Sequence, residues 1–124
     1  LTPSGTWGGG GFLGTSASVL SGFNNSQLML SNNSSVAQAC DSYSSSGFTD
    51  WYLPSIGELN LMYNNIGQRN ALGLGNIGGF ESYFYWSSTE AENNYRWCGN
   101  MVNGFQGSGH KSESYCYVRA VKSF

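Results

Sequence analysis

The sequence predicts an α+β protein, with two helices in the first half followed by an antiparallel β half. Three observations carry this. Helix-start signals followed by helical apolar spacing fall between residues 34 and 67. From Phe80 the apolar period changes to two. Asn103-Gly104 is the strongest short hairpin signal in the chain.

Residues 1–33 are dense in turn signals: Gly8 to Gly11 in a row, then Gly14, Gly22 and Asn24-Asn25. Phe12-Leu13 and Leu28-Met29-Leu30 read as short strands. Ser34 or Ser35 caps a first helix over 35–45, with Gly47 as its stop. Val36, Cys40 and Tyr43 recur at i, i+4 and i+7 and line one face of it. Cys40 reads as a small core hydrophobe.

Pro54 biases Leu53 to an extended conformation. Ser55 and Glu58 then form a capping box that opens the second helix, 56–66. Leu59, Met62, Tyr63 and Ile66 give its apolar stripe, and Gly67 ends it. Residues 68–79 are a Gly- and Asn-rich connection. Phe80, Ser82, Phe84 and Trp86 alternate with Glu81, Tyr83 and Tyr85, which predicts a strand near 83–87 covered on both faces. Strands are also expected at 97–102 and 115–121. Trp51, Trp86 and Trp97 sit in motif or strand positions and read as core.

At 124 residues the chain has the length of one domain, 1–124, with room for a real core. It starts at Leu1 rather than Met, which predicts an excised domain or processed product. Seven acidic and five basic residues give a net charge of −2 without a basic patch, so no nucleic-acid partner is expected. No apolar run approaches the ~20 residues of a membrane span, so no membrane insertion is expected. Aromatics reach 15%, too many for a disordered chain. Three cysteines, without a CxxC spacing, and one His form neither a disulfide framework nor a usual zinc site.

Four motifs together, Asp50-Trp51-Tyr52-Leu53-Pro54-Ser55, Glu58-Leu59, Tyr85-Trp86-Ser87-Ser88-Thr89-Glu90 and Val118-Arg119-Ala120-Val121, resemble C-type-lectin-like domains of bacterial and phage surface proteins. The likeness spans about residues 7–124. Some such domains are adhesin tips, and others are variable proteins diversified by retroelements. In the diversified class the variable stretch lies between the Trp-Ser-Ser-Thr-Glu strand and the final Val-Arg strand, here about 92–117. Adenine mutagenesis of Asn codons cannot yield Trp, Met, Gln, Glu or Lys. Trp97, Met101 and Lys111 therefore look like fixed scaffold, and Gln106 and Glu113 would be unmutated.

Within that stretch Tyr, Ser, Gly and Asn dominate, the mixture of a paratope. The resemblance implies a binding surface made of Asn93, Asn94, Tyr95, Arg96, Cys98, Asn100, Phe105, Ser108, His110, Ser112, Ser114, Tyr115 and Cys116. Tyr95, Phe105 and Tyr115 would supply apolar area, and Arg96, Asn100, His110 and the serines directional polar contacts. The expected partner is a protein or glycan on a host or neighbouring cell surface, which places the protein on a virion or cell surface. Homo-oligomerisation is left open. No cofactor and no catalysis are expected. Gly-x-Ser-x-Gly, a P-loop and a metal-spaced His pair are all missing. The calcium lectin motifs Glu-Pro-Asn, Gln-Pro-Asp and Trp-Asn-Asp are missing too. The alternatives are a non-diversified adhesin tip with calcium-independent glycan binding and, less favoured, an oxidase like the formylglycine-generating enzymes, which share this fold and use paired cysteines. Cys98 and Cys116 are the candidate pair. Bridged and free states are both open to them, and free thiols are favoured because both fall at presumed variable positions.

Overall fold

A computed structural model of the chain describes residues 6–8, 11–44, 47–67, 73, 75–112 and 116–123. Helices α1 (Gly22–Leu30), α2 (Ser35–Asp41) and α3 (Ile56–Ile66) precede strands β1 (Phe84–Glu92), β2 (Tyr95–Asn100) and β3 (Gln106–His110). The strands form one antiparallel sheet in the order β1-β2-β3. The layout is α+β, as the sequence predicts.

Helix α1 overturns the strand expected at Leu28-Met29-Leu30. Its buried residues are Gly22, Asn25, Ser26 and Met29, a helical stripe that is mostly small and polar. An apolar-periodicity reading cannot see such a stripe. It is buried because its polar groups are satisfied. Asn25 accepts from Ser16 N at 2.9 Å and donates to Ser16 O at 2.7 Å. Ser26 Oγ accepts from Leu53 N at 3.0 Å and donates to Leu53 O at 3.2 Å. Phe12-Leu13 forms no strand either; Leu13 uses its N–H on a Glu90 carboxylate oxygen.

Ser34 caps α2, its Oγ accepting from Ala37 N. The helix stops at Asp41 instead of running to residue 45. Ser42 and Ser44 hold the chain poorly in a helix, so Tyr43 leaves the stripe and meets Trp51 edge-on at 5.1 Å. The capping box of α3 is present in full: Ser55 Oγ accepts from Glu58 N at 3.2 Å, and Ser55 N donates to Glu58 Oε1 at 2.8 Å.

β1 runs from Phe84 to Glu92, where a strand near 83–87 was expected, and local hydrogen bonds hold the residues just before it. Asn76 accepts from Phe80 N and donates to Phe80 O, and Glu81 N donates to Tyr85 Oη. After Trp86 the register breaks until Glu90. β2 starts two residues before its expected position, and Met101 falls in the turn. No strand range was expected at β3, although the Asn103-Gly104 hairpin signal points to a partner strand beyond it. Gln-Gly-Ser-Gly-His has little β-propensity, but the Asn103-Gly104 turn folds it back onto β2. That turn is closed by Asn100 N to Phe105 O at 2.7 Å and Gly104 N to Asn100 O at 2.8 Å.

The last strand expected at 115–121 is replaced by single bridges, Tyr117 parallel to Tyr85 and Val121 antiparallel to Tyr52; residue 115 lies outside the described residues. At β1 both sheet faces are covered, as the doubly aromatic strand predicts. On one, Trp86 and Cys98 join Trp7, Met29, Val36 and Leu53. On the other, Tyr85 and Met101 join Ile56, Leu59 and Tyr63. Gly99 admits α3 to that face, since a Cβ there would lie 2.9 Å from Leu59 Cδ2. Trp86 is fully buried; Trp51 and Trp97 are half-buried and only partly core. No helix among the described residues is long and apolar enough to cross a membrane.

Candidate functional site

Successive side chains of a strand point to opposite faces, and β2 sorts its residues by that rule. Tyr95, Trp97 and Gly99 share one face and pair with His110, Ser108 and Gln106 of β3. Helix α3 covers only the Gly99 end. Towards the Asn93-Asn94 turn the face is open: Tyr95 is 43% exposed, Ser108 is exposed, and Trp97 and His110 are half-buried. The Tyr95 and His110 rings meet edge-to-face at 5.5 Å. His110 Nδ1 accepts from Ser112 N at 3.1 Å and lies 2.7 Å from Ser112 Oγ. Asn93, Asn94 and Ser112 are exposed beside this face.

Arg96, Cys98 and Cys116 do not belong to it. All three are buried, with 1%, 2% and 0% exposure, which corrects the expectation of a display role. Arg96 and Cys98 are the inward half of the β2 alternation, opposite Gly109 and Gly107. The Arg96 guanidinium lies over the Trp86 ring at 4.4 Å and 3.8 Å from Cys116 Sγ. The Cys98 and Cys116 Sγ atoms are 3.0 Å apart. Burial above all, reinforced by the neighbouring Cys116 thiol, holds the Cys98 thiol well above its usual range. Asn100 is half-buried and structural, accepting from Val102 N at 2.8 Å. Phe105 is 61% exposed at the hairpin end. It edges a groove of about 180 Å³ that also touches Phe84, Arg96 and Cys98. Ser114 and Tyr115 lie outside the described residues.

Lys111, expected as scaffold, is buried against Glu90: Nζ lies 2.7 Å from Oε2 and 2.8 Å from Gly11 O. Glu90 also accepts from the N–H groups of Leu13, Gly14 and Thr15. Burial pushes the Glu90 pKa up, but the Lys111 hydrogen bond, the backbone N–H groups and the Lys111 charge prevail and hold it below the usual carboxylate range. This latch pins the segment at 11–15 beneath the β3 end. Its sequence signal was the Glu of the Trp-Ser-Ser-Thr-Glu motif.

Sequence reasoning missed two features. Trp97 is only half-buried, although its strand position suggested full burial. A cleft of about 340 Å³ is lined by Glu81, Ser82, Tyr83 and Tyr117, with the two tyrosine rings 6.1 Å apart and nearly perpendicular. The doubly aromatic strand was its only signal. Among the described residues, no three His, Cys, Asp or Glu side chains gather as a metal site would require.

Comparison with curated proteins gave no match. A family model, that of the Lcl C-terminal domain, matches residues 13–122, a span that holds all three helices and all three strands.

Proposed function

Because the chain belongs to the Lcl C-terminal domain family, a domain of the C-type-lectin-like group, we propose that it is a non-catalytic recognition domain. Its binding surface is the open sheet face of Tyr95, Trp97, Ser108 and His110, extended by Asn93, Asn94 and Ser112. One observation carries this reading: β2 alternates between side chains that hold the core and side chains that face out. Arg96 and Cys98 serve the first role, Tyr95 and Trp97 the second. Such a strand tolerates substitution outward without losing its fold.

Aromatic anchors supply most of the energy in such interfaces, and amides and hydroxyls supply direction. With a net charge of −2, affinity comes from burial and shape rather than electrostatic steering. The partner class is a protein or glycan on a host or neighbouring cell, which puts the domain on a virion or cell surface. Burial holds the Cys98 thiol well above its usual range, which supports a recognition domain over a thiol-dependent oxidase. Diversification by a retroelement fits the clustering of substitutable positions, and a neighbouring reverse transcriptase gene with a near-repeat of the 3′ coding end is its signature.

A library randomised at Asn93, Asn94, Tyr95, Ser108, His110 and Ser112 tests the reading. Most members should fold, and selection on an immobilised unrelated protein such as lysozyme should yield binders. A second library at Arg96, Cys98 and Lys111 should give mostly unfolded chains. If both libraries fold equally well, or the first yields only unfolded chains, the proposal fails.

A second reading, a calcium-independent glycan site of an adhesin tip, is favoured by the Tyr83–Tyr117 cleft, whose rings and Glu81 carboxylate suit sugar stacking and hydroxyl bonding. Tyr83→Ala abolishing binding to a glycan array, with Tyr95→Ala neutral, would shift the assignment there.

A further inference from the structure

Cys98 sits mid-strand in β2, and Cys116 immediately precedes the bridge residue Tyr117. They are 18 residues apart in sequence, yet their sulfurs are 3.0 Å apart within one buried cluster. That is only about 1 Å beyond a disulfide bond length. The segment that carries Cys116 joins the fold through single bridges at Tyr117 and Val121 rather than a continuous ladder. We propose that Cys98 and Cys116 close a reversible disulfide that fastens this segment to the centre of the sheet.

The oxidant is a small-molecule disulfide of the glutathione class. The groove lined by Phe84, Arg96, Phe105 and Gly107 leads to Cys98. Cys98 loses its proton and attacks one glutathione sulfur. The glutathione S–S bond breaks, and the released thiolate takes up that proton. Cys116 then loses its proton and attacks the Cys98 sulfur of the mixed disulfide. The second glutathione leaves and is protonated. Two protein thiols and one glutathione disulfide become one protein disulfide and two glutathione thiols. The Arg96 guanidinium, 3.8 Å from Cys116 Sγ, favours the attacking thiolate. Burial disfavours the Cys98 thiolate, so exchange in the folded chain is slow and a closed bridge persists. Cys40, on α2, lies in the same cluster, and burial pushes its thiol up to about 12. If the recognition reading holds, the bridge also stiffens β2 beneath Tyr95 and Trp97; its existence does not depend on that reading.

The test folds the unsubstituted chain in a reduced and oxidised glutathione mixture, then alkylates it in denaturant and weighs it. One alkylated cysteine, Cys40, and a linked peptide joining residues 98 and 116 are expected. Melting should rise by roughly 10 °C over the reduced chain. C98S and C116S should lose that rise, and C40S should keep it. Three alkylated cysteines, a bridge to Cys40, or a glutathione left on a single cysteine overturns the proposal. The labelling result stands even where C98S or C116S fails to fold. It is also independent of ligand binding, so its failure leaves the recognition reading untouched.

Discussion

Tyr95 and Trp86 are both large aromatics on neighbouring strands, yet they answer to different demands. Trp86 is fully buried under the Arg96 guanidinium, while 43% of Tyr95 faces solvent. Trp86→Ala should therefore cost ~3–5 kcal/mol of unfolding free energy. Tyr95→Ala should cost less than ~0.5 kcal/mol. Urea titrations of the two variants would separate the roles, and equal losses would contradict them. The Glu90–Lys111 pair makes a second claim at this scale. The folded Glu90 carboxyl has a pKa below its unfolded value. Its contribution is thus complete above the ordinary carboxylate range. It is lost as pH falls through that range towards the lowered folded value. Lys111→Met strands a buried carboxylate and should cost ~3–5 kcal/mol at neutral pH. That deficit should shrink in melts run from pH 7 down to pH 3, as Glu90 protonates.

Elements announced by local chemistry were legible in the sequence, and elements made by long-range pairing were not. α3 was readable from Ser55 and Glu58 because a capping box needs only four consecutive residues. α1 was hidden because Asn25 and Ser26 are buried through hydrogen bonds to Ser16 and Leu53, which no periodicity of apolar residues records. β3 was hidden because Gln106–His110 has little β-propensity of its own and is a strand only through its pairing with β2. The same pairing explains why composition could mark the stretch but not sort it: inside and outside became separable only once the β2 register was known. The turn that creates β3 is the sensitive point. Gly104 has φ +78°, and a Cβ there would lie 2.7 Å from the Tyr63 ring. Gly104→Ala should cost about 1–3 kcal/mol. Amide exchange should speed up at Gln106–His110 before it does in α3.

Across the whole molecule, the two cores are apolar and the buried carboxylate Glu90 already has a cation at 2.7 Å. The melting temperature should therefore be the same in EDTA and in millimolar calcium; a collapse with chelator would reverse that expectation. The long latches also set the order in which the molecule can assemble. Trp7 Nε1 reaches Ser87 across 80 positions, and Lys111 reaches Gly11 across 100. Neither helical pair nor hairpin completes its burial until both ends of this span coexist. Such a topology folds slowly, on the order of milliseconds to seconds. On a ribosome it stays unfinished until the residues after β3 have emerged, so a stalled or truncated chain presents an open core to the cell's proteases instead of a half-built binding surface.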